Sequence, residues 1–150
     1  MPASSRSAAA RWCTVGVVHC PSDKSTAPNG PRIRSVSLNS LVGDPGVVAG
    51  QFNPLYVQFL KSAQFVKPAE TFTFLDEHPD TINDGFFVNR LEEFQWGNLP
   101  GSYHNRGANI TFADGHVEFH RWVVADTVRP PVQGGAGGGF PAGPRDDFEE

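Results

Sequence analysis

The sequence predicts a mostly β protein of the α+β class: a small antiparallel sheet with a C-terminal Asp-Gly hairpin, little helix, long loops and a disordered tail. Three observations predict it. Short runs of β-branched and aromatic residues alternate with polar ones, as in "ETFTFLDE" and "NITFADGHVEF". Sixteen glycines and thirteen prolines in 150 residues break the chain too often for long elements. Residues 103–122, "YHNRGANITFADGHVEFHRW", join a preferred tight-turn pair to alternation on both of its sides.

The elements follow in order. Residues 1–19 are an unassigned N-terminal segment, whose first ten residues hold no apolar stretch of signal-peptide length. "CTVGVVHC" at its end is apolar and β-branched, which predicts a strand. "PSDKSTAPNGP" is turn chemistry throughout. "RIRSVSLNSLV" predicts a strand that faces Ile33, Val36, Leu38 and Leu41 inward, with a slip of register near Arg34-Ser35. Residues 44–69 predict a loop with one short helix opened by Asn53-Pro54. "ETFTFLDE" predicts a strand with Phe72 and Phe74 on one face and Thr71 and Thr73 on the other. "HPDTINDG" is a loop, "FFVN" a returning strand, and residues 92–101 are irregular. A globular domain over 20–126 results. Residues 127–150 are dense in Pro and Gly and predict a flexible tail, since they cannot bury enough apolar area to offset ordering.

The hairpin carries the most detailed expectation. With Asp114-Gly115 as the two central residues of a type I′ turn, Phe112 pairs with Val117, Ile110 with Phe119 and Asn109 with His120. Ile110, Phe112, Val117 and Phe119 then share the core face. His116, Glu118 and His120 fall on the other face, where solvent is the plainer environment and a zinc-binding row the sharper one.

Charge and composition exclude several functions. A formal charge of −4 and no basic cluster leave no footprint for nucleic acid, and no apolar stretch is long enough for a membrane span. Cys13 and Cys20 are a candidate disulfide in an oxidising compartment, but no second Cys pair follows at zinc-site spacing. "DEHPDTINDG" gathers Asp76, Glu77, Asp80 and Asp84, oxygen donors suited to Ca²⁺. The spacing is not that of an EF-hand, and an acidic turn explains the same residues. His116 and His120 complete the candidate metal ligands. No Ser or Cys nucleophile with a matching partner stands near His104, so no enzyme is expected and His104 reads as a buried, hydrogen-bonded histidine.

His104, nine intervening residues and Asp114-Gly115 form an H-X9-DG signature. With "CPSDKS", "RSVSLNSLVG", "ETFTFLDEHPDTINDGFFVN" and the closing "RDDFE", residues 20–127 and the C-terminal end resemble the prepilin-type processing-associated H-X9-DG family. Those proteins are similar to type II secretion pseudopilins and are abundant in planctomycete and verrucomicrobial bacteria. The resemblance implies an extracytoplasmic or cell-surface β-rich head, structural rather than enzymatic and without a cofactor. Its partners are other pseudopilin-like subunits or secretion-system proteins. The family's prepilin cleavage motif and hydrophobic helix have no counterpart in residues 1–19, so the chain is expected to be a truncated head without leader or helix. The alternative is an extracellular glycan- or calcium-binding module, with Trp96, Tyr103 and Trp122 as an aromatic platform beside the acidic loop.

Overall fold

The computed structural model describes residues 18–27, 30–44, 53–93, 95–131 and 140–141. Of the expected strand at 13–20, residues 13–17, Cys13 among them, lie outside the described residues, and Val18 and His19 form a turn and bend.

A five-stranded sheet dominates, as the alternating runs predict. Its strands are β3 (Val36–Asn39), β4 (Phe72–Asp76), β5 (Phe86–Phe87), β8 (Gly107–Phe112) and β9 (Val117–Arg121), in the order β5-β3-β4-β8-β9. All neighbours are antiparallel except β3 and β5, which pair in parallel. A two-residue ribbon, β1 (Thr26–Ala27) with β2 (Gly30–Pro31), precedes it. A second small sheet joins β6 (Asn89–Arg90), β7 (Gln95–Trp96) and β10 (Phe140–Pro141). Among the described residues the helical turns are 3-10: Ser62–Gln64, Pro68–Glu70 and Leu91–Glu93. The expected helix after Asn53-Pro54 is not formed. Of its apolar residues, Leu55, Leu60 and Val66 are 83%, 60% and 91% exposed, and Phe59 and Phe65 are half-buried against each other (4.9 Å), so the five form no stripe that docks on the core.

The core lies between the two sheets. Leu75, Phe87, Trp96, Leu99, Ala108 and Trp122 are buried together, with Phe72, Ile110 and Val128 packed against them. Edge-to-face contacts run through it from Phe72 to Phe87 (6.4 Å), to Trp96 (6.0 Å), to Trp122 (5.6 Å). Two strands meet this core differently from their sequence pattern. In β3 the fully buried side chain is Ser37, with Ser35 before it, while Ile33 is 70% exposed. The reason is a buried carboxylate, Glu77, to which the Ser37 hydroxyl donates. In β4 a shift of register between Phe72 and Phe74 separates the two phenylalanines: Phe72 packs on the core and Phe74 is exposed.

The hairpin register is one residue away from the expected one. Thr111 pairs with Val117, Ile110 with Glu118, Asn109 with Phe119 and Ala108 with His120. The loop has three residues, Ala113, Asp114 and Gly115: Gly115 N–H donates to Phe112 O (3.0 Å) and Phe112 N–H to His116 O (2.9 Å). A type I′ turn needs positive φ at both central residues, and Asp114 is not among the positive-φ residues; Gly115 is, at 94°. A one-residue slip turns every side chain of a strand over. Val117 and Phe119 are therefore exposed, and His116, Glu118 and His120 share a face with Ile110 and Phe112. Flat rings make that tolerable: His116 stacks on Phe112 (4.4 Å, 3°) and His120 packs on Trp122 (4.5 Å). The observed register also buries Trp122, whose indole N–H donates to Gly101 O (2.8 Å). Gly107 accepts the close approach of β9, since a Cβ there would overlap the His120 carbonyl and the Phe119 ring.

The expected tail begins inside the fold. Thr127 is fully buried and its hydroxyl accepts from the Trp96 indole N–H (3.2 Å). His78 is buried, which lowers its pKa and keeps it neutral; Nε2 donates to Arg129 O (3.0 Å) and Nδ1 accepts from Asp80 N–H (3.2 Å).

Candidate functional site

The most chemically loaded place is one that no sequence spacing suggests. Cys20, Asp76 and His104 arrive from three parts of the chain, and their ligand atoms all lie within 4.8 Å of one another. Cys20 opens a turn closed by Asp23 N–H donating to Cys20 O (3.0 Å), and its own N–H donates to Ser35 Oγ (2.6 Å). Asp76 is the last residue of β4, paired with Val36. His104 stands before a two-residue turn, Asn105-Arg106, whose φ angles of 48° and 69° let His104 and Gly107 exchange backbone hydrogen bonds.

The sulfur of Cys20 lies 3.1 Å from His104 Nε2, and Asp76 Oδ2 lies 3.2 Å from the same nitrogen. The Asp76 carboxylate is held from its other sides. Oδ2 accepts the Asn109 N–H (3.1 Å) and Oδ1 accepts the Tyr103 hydroxyl (3.3 Å). Tyr103 has its pKa pushed far upward by burial and by the charge of Asp76, so it remains a phenol that donates. The Tyr103 and His104 rings pack at 4.9 Å. Asp23 is buried nearby; its Oδ2 has no hydrogen-bond partner, and His19 stands 3.9 Å away.

The other predicted site residues disperse. Glu77 follows Asp76 just beyond the end of β4, and the two carboxylates have separate sets of partners. Glu77 is fully buried: Thr81 and Asn98 donate to Oε1 at 3.0 and 2.8 Å, and Ser37 donates to Oε2. Asp80 flanks His78, and Asp84, exposed, caps Phe86 N–H (2.8 Å). These four carboxylates form no common oxygen cage; among the described residues Cys20, Asp76 and His104 are the group with convergent donors. His116 and His120 also hold no common site. His116 is clasped between Asp114 and Glu118, while His120 borders a cleft of about 450 Å³ with Glu118, Phe72, Phe112 and Trp122. The aromatic platform is not at the surface, because Trp96 and Trp122 are core residues. Cys20 is a free thiol, and Cys13 lies outside the described residues.

The Asp114–His116 clasp sets a pH window for the hairpin. Asp114 Oδ1 accepts from His116 N–H (3.1 Å) and Nδ1 (2.5 Å). The backbone bond lowers the Asp114 pKa below 3.8, and the side-chain bond raises that of His116 above 6.5. The His116 contribution is complete below pH 6.5 and is lost as pH rises through its higher folded value. That of Asp114 is complete above pH 3.8 and is lost as pH falls through its lower folded value. Protection of the Gly115 and His116 amides, the intrinsic exchange rate at each pH over the observed one, should be greatest between those limits. A protection profile flat from pH 5 to 8, or a His116 that titrates at or below 6.5, would contradict the clasp.

Comparison of the chain with models of known protein families, with curated proteins and with solved structures finds no match.

Proposed function

We propose that this chain is the head of a pseudopilin-like subunit, a non-enzymatic structural and interaction module of a type II secretion or type IV pilus-like surface system. It works outside the cytoplasm and contacts other pseudopilin-like subunits or secretion-system proteins. One observation carries the reading: the residues of the H-X9-DG resemblance serve the scaffold. Asp114 and Gly115 build the hairpin loop, and His104 ties the "CPSD" segment at Cys20 to the end of β4 at Asp76. A second observation supplies the contact surface. Phe74, Val117 and Phe119 leave apolar side chains exposed on one face of the sheet, at 45%, 60% and 52%.

The test places a prepilin leader and helix before residue 20 and expresses the fusion with a prepilin peptidase and its pilus-like system. A photo-crosslinker at Val117 or Phe119 should capture neighbouring subunits, and Val117→Lys with Phe119→Lys should abolish filament incorporation while the head stays folded. A processed fusion that neither crosslinks nor enters filaments overturns the reading.

A further inference from the structure

We propose that Cys20, Asp76 and His104 bind one Zn²⁺ ion, with the fourth coordination position left to water or an exchangeable ligand. A thiolate, an imidazole and a carboxylate are the donor set that zinc accepts, whereas the sulfur excludes Ca²⁺ and Mg²⁺ as the natural occupant. The donors already face one another. A tetrahedral zinc with bonds of about 2.0–2.3 Å keeps its ligand atoms roughly 3.3–3.7 Å apart. Here Sγ and Nε2 are 3.1 Å apart and Nε2 and Oδ2 are 3.2 Å apart, so these pairs need to open by a few tenths of an ångström.

The same distances argue against a cysteine nucleophile. In a Cys-His-Asp relay the histidine faces the thiol with one nitrogen and the carboxylate with the other. In this protein the sulfur and the carboxylate oxygen both face Nε2. A single N–H serves one acceptor well, while a cation among the three atoms serves all of them.

The surroundings fit an ion. Asp76 is fixed by Asn109 N–H and the Tyr103 hydroxyl, the outer support that orients a ligating carboxylate. The charge fits as well. A Cys20 thiolate with Asp76 places two negative charges together, and buried Asp23 adds a third on the adjoining turn. Among the described residues no Lys or Arg bonds to Cys20, Asp23 or Asp76; the side chains beside these carboxylates are the imidazoles of His19 and His104. Binding displaces the Cys20 thiol proton to solvent and needs His104 with its remaining proton on Nδ1.

Co²⁺ titrated into the reduced full chain is the test. One equivalent should give tetrahedral visible bands and a thiolate-to-cobalt absorption, and one equivalent of Zn²⁺ should displace it. Cys20→Ser should remove the thiolate band and weaken binding by roughly 100-fold or more, and His104→Gln and Asp76→Asn by at least about 10-fold. Cys13→Ser and the double variant His116→Gln/His120→Gln should bind like the parent. Far-UV circular dichroism of each metal-free variant establishes that it is folded, and a chelator should lower the melting temperature of the loaded parent. The proposal is overturned if the reduced chain takes up less than a stoichiometric amount, if Cys13→Ser rather than Cys20→Ser removes the band, or if folded Cys20→Ser binds as well as the parent.

Discussion

Replacing Glu77 with alanine should cost about 3–5 kcal/mol of folding stability, whereas replacing it with glutamine should cost almost nothing at pH 8. Glu77 is fully buried and accepts from Ser37, Thr81 and Asn98; Thr81 Oγ1 in turn accepts Leu99 N–H (3.1 Å). Alanine removes the acceptor of the Ser37 hydroxyl and of one Asn98 N–H, while the Thr81 hydroxyl keeps His78 O at 3.2 Å. Glutamine keeps an oxygen for Thr81 and Asn98 and turns an amide N–H towards the Ser37 oxygen. Burial pushes the Glu77 carboxyl from 4.5 up to about 7, against the pull of those hydrogen bonds and of Arg34. A raised carboxyl contributes fully below pH 4.5 and loses its contribution as pH rises through about 7, a difference of roughly 3 kcal/mol. Urea unfolding of the parent should therefore show stability falling between pH 5 and 8, with Glu77→Gln much flatter. A glutamine variant less stable than the parent by more than about 1 kcal/mol at pH 8 would show that the ionised carboxylate is required.

Trp122→Ala should cost about 3–5 kcal/mol, and Phe119→Ser about 1 kcal/mol or less. Trp122 is 4% exposed, meets Trp96 edge to face and spends its indole N–H on Gly101 O. Phe119 is 52% exposed and covers Gly107 from outside. With the two-residue Asp-Gly loop Phe119 belongs to the core, so its loss becomes the costly one. Urea midpoints of the two variants separate the registers: Phe119→Ser more damaging than Trp122→Ala would refute the three-residue loop.

Fold class and the strands of the five-stranded sheet were legible because alternation and turn residues are local signals; the two-residue strands β1, β2, β7 and β10, in stretches that read as turn, irregular or tail, were too short to leave a period. The faces of β3, β4 and β9 were not, for three separate physical reasons. In β3 a buried carboxylate 40 residues away turns Ser37 inward, and nothing near Ser37 announces it. In β4 a bulge breaks the period of two between Phe72 and Phe74. In β9 Asp-Gly suits a two-residue loop and a three-residue loop alike, and the burial of Trp122 goes with the second. Each member of the candidate site was visible alone: Cys20 as a thiol, Asp76 as a hard oxygen donor, His104 as a signature residue. Their meeting was not, because Cys20 and His104 are 84 residues apart and only the pairing of β3 with β4 and of β4 with β8 brings them together.

The slipped hairpin also decides how the sheet can grow. Among the described residues β9 is the last strand of its sheet, and a strand from a second copy laid along it brings side chains to within about 5 Å of those of β9. On the core side those are His116, Glu118 and His120. An antiparallel copy centred on Glu118 sets carboxylate against carboxylate, and the opposite edge, β5, is two residues long and gives little to pair with. Endless strand-on-strand stacking is thereby disfavoured at both ends. On the proposed reading, heads that meet through the exposed Phe74, Val117 and Phe119 pack side by side without fusing into one continuous β-sheet.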